Sequence, residues 1–144
     1  MSKAKHARTV PHAPQTHPVV RPREPHSDTQ ELTYFAGISA RTVVSQGLCM
    51  HLVHLPPGAR AIPHMHERHE TAVYVLRGEV QIWYGGQLEH HAVVRAGEFR
   101  HIPARLPYQP FNGGKSEALA VLACTDTNEQ KSVVLLPQLD KLHP

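Results

Sequence analysis

The chain has 144 residues and a mass of 16.1 kDa, the size of one ordinary domain. Apolar residues make up 40% and charged residues 19%, enough for a real core and too few charges for a disordered chain. Two cysteines are too few for a disulfide-stapled scaffold, and no apolar run reaches the roughly 18–20 residues that span a bilayer. The basic pI of about 9.1 belongs to residues 1–23, which carry five basic side chains and no acid; the rest of the chain is slightly acidic and gives no reason to expect a nucleic-acid partner.

Residues 1–28 hold Pro11, Pro14, Pro18, Pro22 and Pro25 with scattered histidines and no amphipathic period. Proline removes an amide donor and disfavours helix before it, so this stretch is expected to be an extended or disordered basic arm ahead of a single domain at 29–144. The N-terminus has no apolar core of the kind a secretory leader carries. With cysteines at Cys49 and Cys124 far apart and without a partner motif, buried free thiols and a cytoplasmic setting are the expectation.

Beyond Glu31 the texture changes to short runs of Val, Ile, Leu, Tyr and Phe separated by Gly, Pro and Asn. Strands are predicted at Leu48–Leu55, Ala61–His66, Ala72–Leu76, Val80–Tyr84, His90–Arg95, Phe99–Ile102, Ala118–Ala123 and Ser132–Leu136. Pro57-Gly58, Gly85-Gly86 and Asn112-Gly113-Gly114 mark turns between them. The sole helical signal is a turn near Gln138–Leu142. Such spacing predicts an all-β antiparallel sandwich or barrel. Outward apolar residues (Tyr74, Leu76, Trp83, Val133 and Leu135) point to a homodimer.

The stretch from Gly58 through His64-Met65-His66 and Glu70 to Gly78 carries the chemistry. Alternate residues of a strand share a face, so His64 and His66 project together, about 6–7 Å apart along the backbone. Two imidazoles and a nearby carboxylate, Glu70, make a donor set suited to one divalent first-row metal such as iron, manganese, nickel or zinc. His69 is a further candidate on the same loop.

A second stretch runs Gly97-EFRHI-Pro103-Ala104-Arg105-Leu106-Pro107-Tyr108-Gln109-Pro110-Phe111-Asn112. Together the two resemble the paired motifs of the cupin superfamily, with Gly58, His64, His66, Glu70, Gly78, Gly97, Pro103 and Asn112 in register. The stretch from His64 to Gly85 and the tail from Thr125 to Asp140 resemble small single-domain bacterial cupins of the conserved-barrel group. That resemblance implies a double-stranded β-helix (jelly-roll barrel), often dimeric, with a metal in the barrel mouth.

Three departures from the family pattern bear on the site. Arg105 stands where glycine is usual, Tyr108 stands where the fourth ligand, a histidine, is usual, and seven residues rather than six separate Glu70 from Gly78. A one-residue bulge would reconcile the last count and aim Glu70 inward. Tyr108 is open to three roles: phenolate ligand, hydrogen-bond donor to substrate, or packing. The function expected is metal-assisted chemistry on a small organic molecule, of oxygenase or isomerase type, with Tyr108 as donor or proton carrier; the alternative is a binding or structural dimer without turnover.

Overall fold

The computed structural model describes residues 17–27, 31–128 and 130–144. Among them, eleven strands form two antiparallel sheets. In chain order they are β1 Pro25–Ser27, β2 Thr33–Ile38, β3 Cys49–Leu55, β4 His64–His66, β5 Thr71–Arg77, β6 Glu79–Tyr84, β7 His90–Arg95, β8 Phe99–Ile102, β9 Tyr108–Phe111, β10 Ala118–Cys124 and β11 Val133–Leu135. One short helix, α1 Ala40–Val43, follows β2, and a 3₁₀ turn at Pro137–Leu142 matches the predicted C-terminal turn. The first sheet runs β1-β2-β3-β10-β5-β8 and the second β11-β4-β9-β6-β7. This is the expected all-β jelly-roll barrel.

All eight predicted strands form, and β1, β2 and β9 are additions. Within the predicted arm, Pro25–Ser27 pairs with β2 through Pro25↔Phe35 and Ser27↔Thr33; residues 1–16 and 28 lie outside the described residues. No helix among the described residues is long and apolar enough to cross a membrane.

Alternation sorts the side chains. Val53, Leu55, Val75, Ala118, Ala120 and Ile102 of the first sheet face Val80, Ile82 and Tyr108 of the second, and together they form the core. Small alanines on β10, the central strand, keep the sheets close: Ala120 sits between Val53 and Val75. The opposite faces carry Met50, Leu76 and Phe99, the last 79% exposed. Trp83 does not contribute to an open face, because the His143 ring stacks on it with centroids 3.6 Å apart.

Two motif residues turn out to be architectural. Gly78 has φ +73 at the tight link from β5 to β6, and a Cβ there would run into the Glu117 carbonyl. Asn112 is buried; its amide donates to the Leu55 and Ser116 carbonyls at 2.8 Å each, and its oxygen accepts from the Gly114 amide. Arg105, where glycine is usual, still takes the left-handed conformation at φ 64, and its N–H donates to the His66 carbonyl at 2.8 Å. An L-residue there costs about 1–2 kcal/mol, which the bond to β4 helps to offset.

The expectation of free cysteines is corrected. Cys49 and Cys124 are directly opposite in the β3–β10 ladder, their Cα atoms 5.4 Å apart, and they form a disulfide. Antiparallel pairing brings together residues separated by 75 positions, a register the cysteine spacing did not reveal. The cysteine count therefore gives no argument for a reducing compartment.

Candidate metal centre

The short strand β4 carries the His-x-His pair. It is wedged between β11, with Val133 opposite His66 and Leu135 opposite His64, and β9, with Tyr108 opposite His64. Both imidazoles point into the barrel, 2% and 3% exposed. Their rings meet edge-on with centroids 5.3 Å apart, and the Tyr108 ring lies 4.5 Å from His64 and 6.1 Å from His66.

After His66 the chain crosses from the second sheet to the first through a corner, Glu67–Glu70. The Glu67 amide donates to the Ser132 carbonyl, and Glu70 is clasped by Thr125: its N–H donates to Thr125 Oγ1, and its carbonyl accepts from the Thr125 amide, both at 3.1 Å. This clasp decides which side chains turn inward. Thr71 enters the ladder facing the core, opposite Ile102 and Cys124. Glu70 therefore points outward, 60% exposed, and hydrogen-bonds His101 Nε2 at 2.8 Å. His69 turns inward, 2% exposed, and stacks on His66 with centroids 4.5 Å apart. The structure thus brings His64, His66, His69 and Tyr108 together, and holds Glu70 outside that group.

The protonation states favour ligation. His64 Nδ1 lies 2.7 Å from the Ile62 carbonyl, which can only accept, so Nδ1 carries the hydrogen. Burial pushes the His64 pKa down to about 4, leaving Nε2 at neutral pH with a free lone pair on the barrel side. Burial also lowers the His69 pKa, countered in part by the Asp126 carboxylate. Both ring nitrogens of His69 are buried without a hydrogen-bond partner among the described residues. A buried imidazole left this way costs on the order of 1–3 kcal/mol, and a metal ion is one partner able to relieve it. Among the described residues, no three His, Cys, Asp or Glu side chains already converge closely enough to form a complete ligand cluster.

The other histidines serve elsewhere. His51 Nδ1 accepts from the Gly37 amide at 3.0 Å, and His54 lies 3.4 Å from Glu117. His90 and His91 occupy successive positions of β7 and so face opposite ways, beside Tyr84 and Trp83 respectively. A narrow cavity of about 60 Å³ lies against the site, lined by His64, Tyr108, Val73, Ile102 and Leu122 among others.

One pH dependence follows. An unfolded imidazole titrates near 6.5, whereas folded His64 stays neutral down to about 4. Between those values the unfolded state binds the extra proton, so stability is full above about pH 6.5 and is lost as pH falls through the window. The expected loss for metal-free protein is about 3 kcal/mol from His64, with His51 and His69 acting in the same direction. Urea midpoints measured from pH 7.5 to 4.5 check it; a flat profile contradicts it.

A double-stranded β-helix with inward histidines on a short strand defines the class. The sequence profile described as "Cupin domain" matches residues 51–124, and the chain belongs to that family. It is 36% identical over 96 residues to germin-like protein 3-5 of Oryza sativa subsp. japonica, covering 63% of this chain and 41% of that protein. It is 34% identical to oxalate oxidase 1 of Hordeum vulgare, covering 63% and 47% respectively. The chain thus spans less than half the length of these curated relatives. An oxalate oxidase structure in complex with the substrate analogue glycolate superimposes with a TM-score of 0.64 at 28% identity, over 77% of this chain and 58% of the other. The Lactobacillus farciminis oxalate decarboxylase formate complex shares the fold, with a TM-score of 0.66 at 18% identity.

Proposed function

We propose that the barrel mouth holds one divalent first-row metal on His64, His66 and His69, and that the protein is an enzyme acting there on a small organic molecule with oxygen donors. The observation that carries this reading is the inward turn of His69, buried with two unpartnered nitrogens against a His-x-His pair. In this reading His69 takes the place that the motif spacing offered to Glu70. When bound, such an ion supplies Lewis-acid polarisation of a substrate oxygen or one-electron chemistry with dioxygen. The protein's own part is to hold three buried imidazoles, exclude bulk water with the apolar wall, and present Tyr108. The oxalate oxidase relatives support a small oxygen-rich acid as substrate.

Tyr108 replaces a fourth imidazole, leaving one more position for substrate. Its ring lies 4.5 Å from that of His64, and its phenol acts as hydrogen-bond donor or proton carrier. Tyr108→Phe is expected to leave metal content unchanged and to weaken turnover or ligand-induced stabilisation by about 1–3 kcal/mol. Elemental analysis of tag-free protein prepared without nickel, with turnover of small hydroxy acids under air, checks both points. Loss of metal in Tyr108→Phe would make the phenolate a ligand, and metal retention with no turnover of any acid would favour a binding module.

A further inference from the structure

The outer face of the second sheet holds a pocket of its own, across β9 from the candidate metal centre. Successive residues of a strand face opposite ways, so Tyr108 enters the barrel while Gln109 turns outward. Trp83 is the cross-strand partner of Gln109, and Gln81 of Phe111, which puts all four side chains on that outer face. The pocket measures about 490 Å³, the size of a small-molecule site, and is lined by Arg60, Trp83, Gln109, Phe111 and His143 among others. A flat ring already lies on Trp83: the His143 imidazole stacks at 3.6 Å and 2°, and Phe111 is parallel to Trp83 within 9°. That stacked ring is also held by a hydrogen bond. His143 Nε2 lies 2.8 Å from the Leu88 carbonyl, which can only accept, so this nitrogen carries the hydrogen.

Gln109 adds an unused acceptor. It is 1% exposed, and its Nε2 donates to the Ala61 carbonyl at 3.0 Å and to Asp140 Oδ1 at 2.8 Å. Two accepting partners fix the orientation of the amide, and Oε1 is left buried with no hydrogen-bond partner among the described residues. Arg60 is paired with Asp140 at 2.6 Å, so its charge is met and the lining favours an uncharged ligand. We propose that this face binds an uncharged, fused two-ring nitrogen heterocycle of the purine class. Its ring exchanges with that of His143 on Trp83, and its N–H groups donate to the Leu88 carbonyl and to Gln109 Oε1, which the ligand reaches once His143 withdraws. The pocket continues beside the His143 ring, so a two-ring system fills both places where one imidazole fills the first. His143 is then a tethered competitor that covers Trp83 in the free protein. None of these residues belongs to the candidate metal centre, and the site does not depend on that reading.

The test titrates adenosine into the full chain, as purified and after chelation, reading binding by calorimetry and by the fluorescence of Trp83, the single tryptophan. Binding with a Kd on the order of 0.1 mM and a change in Trp83 emission are expected, the same within about threefold after chelation. His143→Ala should tighten binding about 3- to 10-fold, because the competing stack and its hydrogen bond are gone. Purine riboside, which lacks the exocyclic amine, should bind at least about fivefold more weakly than adenosine, and methyl riboside, which lacks the base, should not bind. Trp83→Ala should weaken adenosine binding about 10-fold or more. Far-UV circular dichroism confirms that this variant is folded, and His143→Ala decides the matter should it not be. No binding up to about 10 mM overturns the proposal, as does an unchanged or weaker affinity in His143→Ala. Purine riboside or methyl riboside binding as well as adenosine overturns it too. Affinity lost on chelation would place the ligand on the metal, removing the outer site and leaving the metal centre standing.

Discussion

His64→Ala combined with His66→Ala is expected to empty the barrel mouth of metal while the barrel remains folded. Among the described residues the two imidazoles are the only pair that a single strand aims at the same point, and burial keeps His64 neutral at pH 7. The core itself is carried by Val53, Val75, Val80, Ile82 and Ile102, none of which the change touches. The sharper comparison is between neighbours. His69→Ala is expected to weaken metal affinity by more than the roughly 10–100-fold typical of losing an outer partner. Glu70→Gln should change it by less than about fivefold, since an exposed pair such as Glu70–His101 is worth little. Metal retained in the double variant would place the ion elsewhere, for instance on His6, His12 and His17 of the N-terminal stretch. Metal lost in Glu70→Gln and kept in His69→Ala would make the carboxylate the third ligand.

Why the neighbours differ shows where sequence pattern stops being informative. His64 and His66 were legible because a strand has a period of two and any two residues at that spacing share a face. Between His66 and Thr71 the chain leaves one sheet and enters the other, and no period operates through a corner. There the hydrogen bonds of Thr125 on Glu70 choose which side chain turns inward, and Thr125 is 55 residues distant in sequence. The motif count alone needed a one-residue bulge to aim Glu70 inward.

The strands themselves were legible wherever β-branched and aromatic residues ran unbroken. Those missed carry residues that argue against a strand. β9 contains Pro110, yet it lies between β4 and β6, with Pro110 opposite Ile82 and its carbonyl accepting from the Ala61 amide. β2 contains Gly37, which faces the β3 backbone so closely that a Cβ would meet the Met50 carbonyl; the ladder slips between Ala36 and Ile38 at that point.

The disulfide sets the last expected result, a large loss of stability on removing it. Cys49–Cys124 closes a loop of 75 residues holding most of both sheets. In the chain-entropy account such a link contributes about 4 kcal/mol, and Cys49→Ser with Cys124→Ser should lower the Tm on the order of 15 °C. The consequence reaches the candidate site. Cys124 is paired with Thr71 as well as Cys49, and the next residue, Thr125, makes both hydrogen bonds to Glu70. Loosening the end of β10 therefore loosens the corner that turns His69 inward. Metal affinity should weaken along with stability, and more steeply than in a variant destabilised equally at a distant core position such as Val80→Ala. Calorimetric Tm and metal titration on the same samples check both halves. Two free thiols in wild-type protein denatured without reductant would show that the link does not form. Equal metal weakening in the two variants would leave the disulfide a staple of the barrel alone.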